Sequence, residues 1–509
     1  MTILANPATK LLMTVFVMLM AIGTGAASAQ VLDADEVRFF LTRTGFAPDA
    51  TEAASFAGLT RRQAVERILS DSRSLAAIAA PDWTSETGSG LQNLKDKSDE
   101  EKKTLREQEH RRMFELRGWW LREMLSTPTP LTERMTLFWH NHFTSSEQKV
   151  RSAQLMYRQN VLLRQEALGH FGDLLHAVSK DPAMLLYLDN SSNRKGAPNE
   201  NFAREVMELF TLGEGHYSQQ DVTEAARAFT GWSVERDIGE FRWRPGAHDA
   251  GSKTVLGVSG NLGGDAVLDI LLAQPACAEY LVTKLWREFV SPNPDAREVQ
   301  RIAQRLRDSR YDIKVALREL FLSPAFWEPA NRATLIKSPV EMVVGTLRQF
   351  QFTYDDPLPF TFAVAQLGQN LFNPPNVKGW PGGDAWINST TLLARKAVLE
   401  RLFRATERRP ADMMQVRAHM QDGAKLPGQG ALGRDGRIQF ANAATMIGFD
   451  PHAWLANVGG DALAVPDTRQ RLAIQRVVLA REPSAPTNSG LGGTAYLRSL
   501  VMDPVYQLK

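Results

Sequence analysis

The sequence predicts a mainly α fold with little sheet, and three observations carry that reading. From Asp35 onward, most segments place apolar residues three and four positions apart, the spacing of one helix face. Strand signals are few and short. The third is the means of stabilisation. Apolar residues make up 43% of the chain and Cys277 is the single cysteine, so the fold is held by burial, with no intramolecular disulfide to help.

Taken in order, "DADEVRFFLTRTGFAP" puts Val37, Phe40 and Leu41 on one face behind an acidic first turn, and stops at Gly45 and Pro48. "LTRRQAVERILSD" repeats the pattern with Ala64, Ile68 and Leu69. Residues 94 to 118 carry dense charge of mixed sign, which predicts a long solvated helix. "TPLTERMTLFWHNHF" sets Leu131, Met135 and Phe138 on one stripe, with Thr129 or Thr132 as its cap. Further helices are read at "SAQLMYRQNVLLRQEAL", "AVLDILLAQPACAEYLVTKLWREFV", "DAREVQRIAQRLRDS", "DIKVALRELFLS", "SPVEMVVGTLRQF" and "TTLLARKAVLERLFRATE". The best strand signal runs from "GEFRWRPG" to "KTVLGVSG", short runs bounded by glycine and proline that suit a small β-hairpin. Past Pro410 the composition shifts to the glycine-rich "DGAKLPGQGALGRDGRIQ", a surface loop. The expected organisation is therefore a leader at 1–29, a helical core over 30–410 and a C-terminal extension, 411–509, packed on that core.

The leader reading rests on Lys10, the apolar run "LLMTVFVMLMAIG" and the Ala27-Ser28-Ala29 pattern before Gln30, which together form a cleavable secretory signal peptide. The expected location is periplasmic or extracellular, with no membrane span after cleavage. With 59 basic against 57 acidic side chains, both signs interspersed, the chain lacks the basic footprint of a nucleic-acid binder.

The chemistry suspects centre on "PNENFAREVMELF". Asn199 is read as the N-cap. On a continuous helix Phe202, Ala203, Val206, Leu209 and Phe210 then share one face, and Glu200, Asn201, Arg204, Glu205 and Glu208 the other. Arg204 sits four residues from both Glu200 and Glu208, in ion-pair reach of each. Asn201, Glu205 and Glu208 fall on one line, where they suit either a cation or paired carboxylates for acid and base work. A solvated helix face is the plainer account of the same pattern. Downstream, Asp221 and Glu224 have capping-box-like spacing, and Gly213 and Gly215 suit the intervening turn.

Other stretches add candidates. His140 and His142 in "FWHNHF" point about 200° apart on a helix, so they share a divalent metal only if the helix ends near Trp139; otherwise His142 is a core histidine. "DPAMLLYLDNSSNRKGAPNEN" brings Asp181, Asp189, Asn190 and Lys195 ahead of the carboxylate helix, largely through turn chemistry. "GAHDAGSKTVLG" offers His248 and Asp249 on a loop. "NPPNVKGWPGGDAWINSTTLLAR" forms a rigid irregular loop with Asn388 or Ser389 capping the next helix. Its Trp380 and Trp386 are read as core plugs or, alternatively, as an aromatic platform for a sugar.

In these motifs, namely "LTERMTLFWHNHF", "DPAMLLYLDN", "PNENFARE" with "MELFTLGEGHYSQQDVTEAARAFTGW", "HDAGSKTVLG", "KSPVEMVVG" and "NPPNVKGWPGGDAWINSTTLLAR", the chain resembles the bacterial domain of unknown function 1800 family; "LVMDPVYQL" resembles its usual ending. The resemblance covers essentially the whole mature chain and implies one large multi-helix domain with long irregular loops. It implies export by bacteria and a neighbouring gene for another secreted protein, of a family similar to sulfatases and phosphatases, as a partner. It carries no established activity. The leading expectation is a hydrolase-like enzyme acting on an envelope or extracellular polymer through Glu205 and Glu208, with Asn201, His142 and Asp189 as neighbours. Asn199, Arg204, Lys195, His248, Asp249, Trp380 and Trp386 are its expected binding groups. Two alternatives are a non-catalytic helical assembly factor for another secreted protein and a metal-binding protein.

Overall fold

The computed structural model describes residues 30–88, 90–91, 97–404 and 447–509. The leader at 1–29, the domain boundary at Pro410 and the glycine-rich segment that follows lie outside the described residues. The described chain is mainly α, with two small antiparallel hairpins. Among the described residues no single helix is long and apolar enough to cross a membrane.

Local sequence chemistry accounts for many helix ends. Asp33 and Glu36 form a reciprocal capping box that starts Ala34–Thr44, and Thr60 with Gln63 does the same for Arg61–Ser70. The charged helix is longer than its charge pattern suggested: Asp99–Ser126 spans 28 residues, solvated in its first turns and largely buried between Met113 and Leu125, with Glu115 and Arg122 left exposed. Its second half is covered because Trp119, Trp120 and Leu121 meet other helices there, a length of core the charge run conceals.

Pro130–His142 is the central strut. Pro130 sits at its first position and Thr129 precedes it without a side-chain cap, so the proline, which lacks an N–H to satisfy, does most of the starting. The helix is buried on nearly every side, including its charges. Glu133 and Arg164 pair at 2.6 and 3.0 Å, and Trp120 Nε1 donates to Glu133 at 2.8 Å, so the buried carboxylate is fully partnered. Arg134 pairs with Glu288 and Glu341.

The expected hairpin between the "EFRW" and "KTV" runs does not form, because each run finds a nearer partner. β1 (Trp232–Glu235) pairs with β2 (Glu240–Trp243), and β3 (Lys253–Val255) with β4 (Val258–Gly260). The second turn has two residues, Leu256 and Gly257, both at positive φ (45° and 82°), the geometry that matches the twist of a tight hairpin.

The last residues thread into the core. Tyr506 is 1% exposed and shares a 2.7 Å hydrogen bond with Thr346, while Lys337 Nζ donates to its carbonyl at 2.8 Å. The buried guanidinium of Arg43 donates to the carbonyls of Phe289, Val290, Asn331 and Lys509, tying four separate segments together.

Candidate functional site

The mount for the carboxylates is the loop before them. Asp189 turns the chain in the left-handed region at φ 61°. Asn193 then holds the loop: Nδ2 donates to Asn190 Oδ1 (3.0 Å) and Ala226 O (2.9 Å), and Oδ1 accepts from Asn199 N (2.9 Å). Asn199 caps the helix Glu200–Glu205, accepting from Asn201 N at 3.0 Å. Asn201 donates its amide to Leu188 O at 3.2 Å, so it anchors the scaffold and is not presented in line with the glutamates.

At Glu205 the α-helix ends and a π-helical turn, Val206–Leu212, continues it. The Gly213 N–H donates to Glu208 O (3.1 Å) and the Thr211 hydroxyl to Val206 O (2.6 Å), both five residues back. Single π turns of this kind concentrate at functional sites. The wider turn also corrects the expected faces. Met207, Thr211 and Leu212 are buried with Val206 and Phe210, while Leu209 is only partly covered. Gly213, at φ 77°, follows at once, and a Cβ there would sit 2.9 Å from the Tyr280 ring.

Glu205 and Glu208 remain neighbours on this turn. Burial first, and then the charge of Glu208, raise the Glu205 carboxyl above the usual range, against the pull of Arg204 and Lys378. Glu208 accepts the hydroxyl of Tyr217. Arg204 pairs with Glu200 at 3.0 Å and also reaches Gln219, so only one of its two expected ion pairs forms. Glu200 accepts from Thr223 and Gln219 as well, which explains that acid structurally. The next helix, Gln219–Ala228, is capped by Ser218 with Asp221 as its box partner; Glu224 serves Arg227 at 2.8 Å instead.

Lys378 links the carboxylates to a pocket. It reaches Glu214 at 3.6 Å, pulls on Glu205, and lines a cavity of ≈ 410 Å³. The pocket is walled by Phe138, Leu335, Ile336, Trp380, Pro381 and Trp386, and five cations face it against two carboxylates. Both carboxylates, Glu288 and Glu341, are taken by Arg134 and Lys509.

The "FWHNH" motif reaches this pocket with three of its five side chains. Phe138, Asn141 and His142 line it, whereas the Trp139 indole donates to Ala167 O at 2.9 Å on another side. Asn141 Oδ1 accepts from Trp380 N at 2.7 Å, fastening the irregular loop to the strut. His142, 2% exposed, places Nε2 at 3.0 Å from Phe210 O; a carbonyl needs a donor, so Nε2 carries the proton and Nδ1 is a bare acceptor. Burial, then the charge of Lys284, keep its imidazole neutral, far below the ordinary histidine range. His140 belongs to a different environment. Its Nε2 accepts from Phe372 N at 3.2 Å, it lies edge-on to Trp120, and burial pushes its pKa down to about 3.

The strut is helical through His142, so the extended geometry that a shared metal required is not formed. Among the described residues no group of three or more His, Cys, Asp or Glu side chains is placed to hold an ion. Asp189 lies elsewhere, paired with Lys149 at 2.7 Å on the wall of a separate groove with Glu147 and Arg151. Lys195 is exposed and engages through its backbone N–H to Ala247 O. His248 and Asp249 are no dyad: His248 Nδ1 meets Thr230 O at 2.9 Å, and Asp249 accepts from Arg227 at 2.7 Å, a bond that holds its pKa down to about 2. Trp380 and Trp386 are 4% and 7% exposed, so they are plugs whose rings wall the pocket, with no open stacking face.

Sequence reasoning missed Asn141, Tyr217, Tyr280, Lys284 and Arg287. A faint signal existed for Lys284. The buried stripe of Pro275–Phe289 runs through Cys277, Ala278, Leu281, Val282, Leu285, Trp286 and Phe289, and Lys284 stands directly beside it.

Fold and site define a mainly α protein with paired glutamates where an α-helix passes into a π turn, linked through Lys378 to a basic, aromatic-walled pocket that neither glutamate lines. The chain belongs to the family described as "Protein of unknown function (DUF1800)", which it matches over residues 39–508. Neither the curated proteins nor the solved structures compared with it gave a match.

Proposed function

We propose that the protein is an exported hydrolase-like enzyme that cleaves a polysaccharide of the envelope or extracellular space, with Glu205 as proton donor and Glu208 as the base that takes a proton from water. The observation that carries the reading is the asymmetry of the pair: Glu205 is half-buried with a raised pKa, while Glu208 accepts the Tyr217 hydroxyl. Two carboxyl groups held apart in this way can divide acid and base roles. Glu205 gives its proton to the leaving glycosidic oxygen as the C–O bond breaks. A water attacks the sugar carbon and passes its proton to Glu208. The leader sequence supports export.

The test is reducing-end release from a panel of acidic and neutral polysaccharides by the mature chain, with Glu205→Gln and Glu208→Gln beside it. Each substitution is expected to lower kcat by at least about 100-fold. In the wild type, kcat should fall at high pH as Glu205 loses its proton. Hydrolysis that survives both substitutions, or a panel left intact by the folded wild type, refutes the reading.

A further inference from the structure

Two cations of this pocket have no counter-ion among the described residues. Lys284 and Arg287 make no hydrogen bond or ion pair among the described residues, in contrast to Arg134 and Lys509 on the same pocket, which pair with Glu288 and Glu341. Lys284 lies 5.4 Å from the centre of the Tyr280 ring, and Tyr280 is fixed by donating to Leu209 O at 3.2 Å on the π turn. An ammonium held in a cleft without an anion is costly, and each ordinarily finds a partner or loses its proton. Burial, with Arg287 adding repulsion, already lowers Lys284 to about 8.

His142 Nδ1 is buried with no hydrogen-bond partner, and the ring lines the pocket. A ligand that satisfies these cations must bring an anion for Lys284 and Arg287. At ≈ 410 Å³ the cavity has the size of a small-molecule site.

We infer that this pocket binds an anionic sugar unit, its acid group on Lys284 and Arg287. The inference rests on the hydrolytic reading and names its substrate class: an acidic polysaccharide, whose charged residue docks in the pocket while the chain extends past Lys378 toward Glu205. A carboxylate and a phosphate on a sugar share this chemistry, so the experiment must separate them.

Titration calorimetry with the mature chain uses three probes: glucuronate, glucose 1-phosphate and glucose. One of the two anionic sugars is expected to bind at least about tenfold more tightly than glucose, since a charge-assisted contact exceeds the 1.4 kcal/mol that a factor of ten represents. The stronger of the two identifies the acid group. Lys284→Met is expected to weaken that binding about tenfold. Arg287→Gln, at an exposed position where folding is not at stake, should weaken it several-fold and reduce its salt dependence. Equal affinity for glucose, no binding of either anionic sugar, or anionic-sugar affinity untouched by both substitutions overturns the inference. Glu205→Gln separates the two levels. A variant that binds the anionic sugar without cleaving polymer supports both readings. Cleavage of neutral polymer with no anionic-sugar binding removes only the pocket assignment, and binding without hydrolysis of any polymer by the wild type removes only the catalytic one.

Discussion

Asp181→Asn should make the protein more stable at neutral pH and leave it nearly unchanged in acid. Asp181 caps Pro182–Tyr187 from inside the core, where one carboxylate oxygen accepts from Met184 N (2.9 Å) and Gln159 Nε2 (2.7 Å), both neutral donors. Burial outweighs those bonds and raises the pKa from 3.8 to about 7. A carboxyl whose folded pKa is raised stabilises fully only below its unfolded pKa, and that contribution is lost as pH climbs through the folded value. The window is therefore pH 4 to 7. At about 1.4 kcal/mol per unit the full gap is worth about 4 kcal/mol, and relaxation around a buried charge reduces it, so about 1–4 kcal/mol is expected. Asparagine caps helices as well as aspartate does and carries no charge to bury. Urea unfolding of both proteins, followed by tryptophan fluorescence at pH 5, 6, 7 and 8, measures the difference directly, since every other titrating group cancels. The gap should widen in favour of the variant up to about pH 7 and then level off. A constant gap, or one that favours the wild type increasingly as pH rises, would refute the reasoning.

Two further outcomes test the site's framework. Gly379→Ala puts a Cβ 2.2 Å from Asn141 Oδ1 and 2.7 Å from the Asn141 carbonyl at a φ of 81°, so it should cost more than about 2 kcal/mol and loosen Trp380 in near-ultraviolet circular dichroism. Gly382→Ala, also at positive φ but facing open space, is the control and should cost only about 1 kcal/mol; equal losses would show that the Asn141 clamp is not what holds the loop. Cys277 is fully buried and its thiol is pushed up to about 12, so an aromatic disulfide reagent at pH 8 should label it only after unfolding in urea, and prompt labelling of the native chain would contradict its burial.

Much of the helical frame was legible because its signals are local. Asn199, before its helix, satisfies the amide of Asn201 two residues on, so a short window of sequence is enough to read it. Burial of Val37, Phe40 and Leu41 follows from spacing alone. The reading of "PNENFAREVMELF" failed where it assumed an unbroken period: the π turn after Glu205 has no residue signature of its own, and it arises where Val206–Leu212 must meet Pro275–Phe289 while Gly213 gives way to Tyr280. Aspartate 189 was placed beside the glutamates by sequence distance, but its ion pair with Lys149 turns it toward another groove.

By itself, then, the sequence determined the helical class and the family, both of which depend on patterns running along the chain. Only the tertiary structure decided which charges would be left without partners among the described residues. Arg134, Lys284, Arg287 and Lys509 look alike in sequence, yet two are neutralised by Glu288 and Glu341 and two are not. Whether a cation is spent on the fold or kept for a ligand depends on what lies within about 4 Å of it, and those neighbours come from segments far apart along the chain.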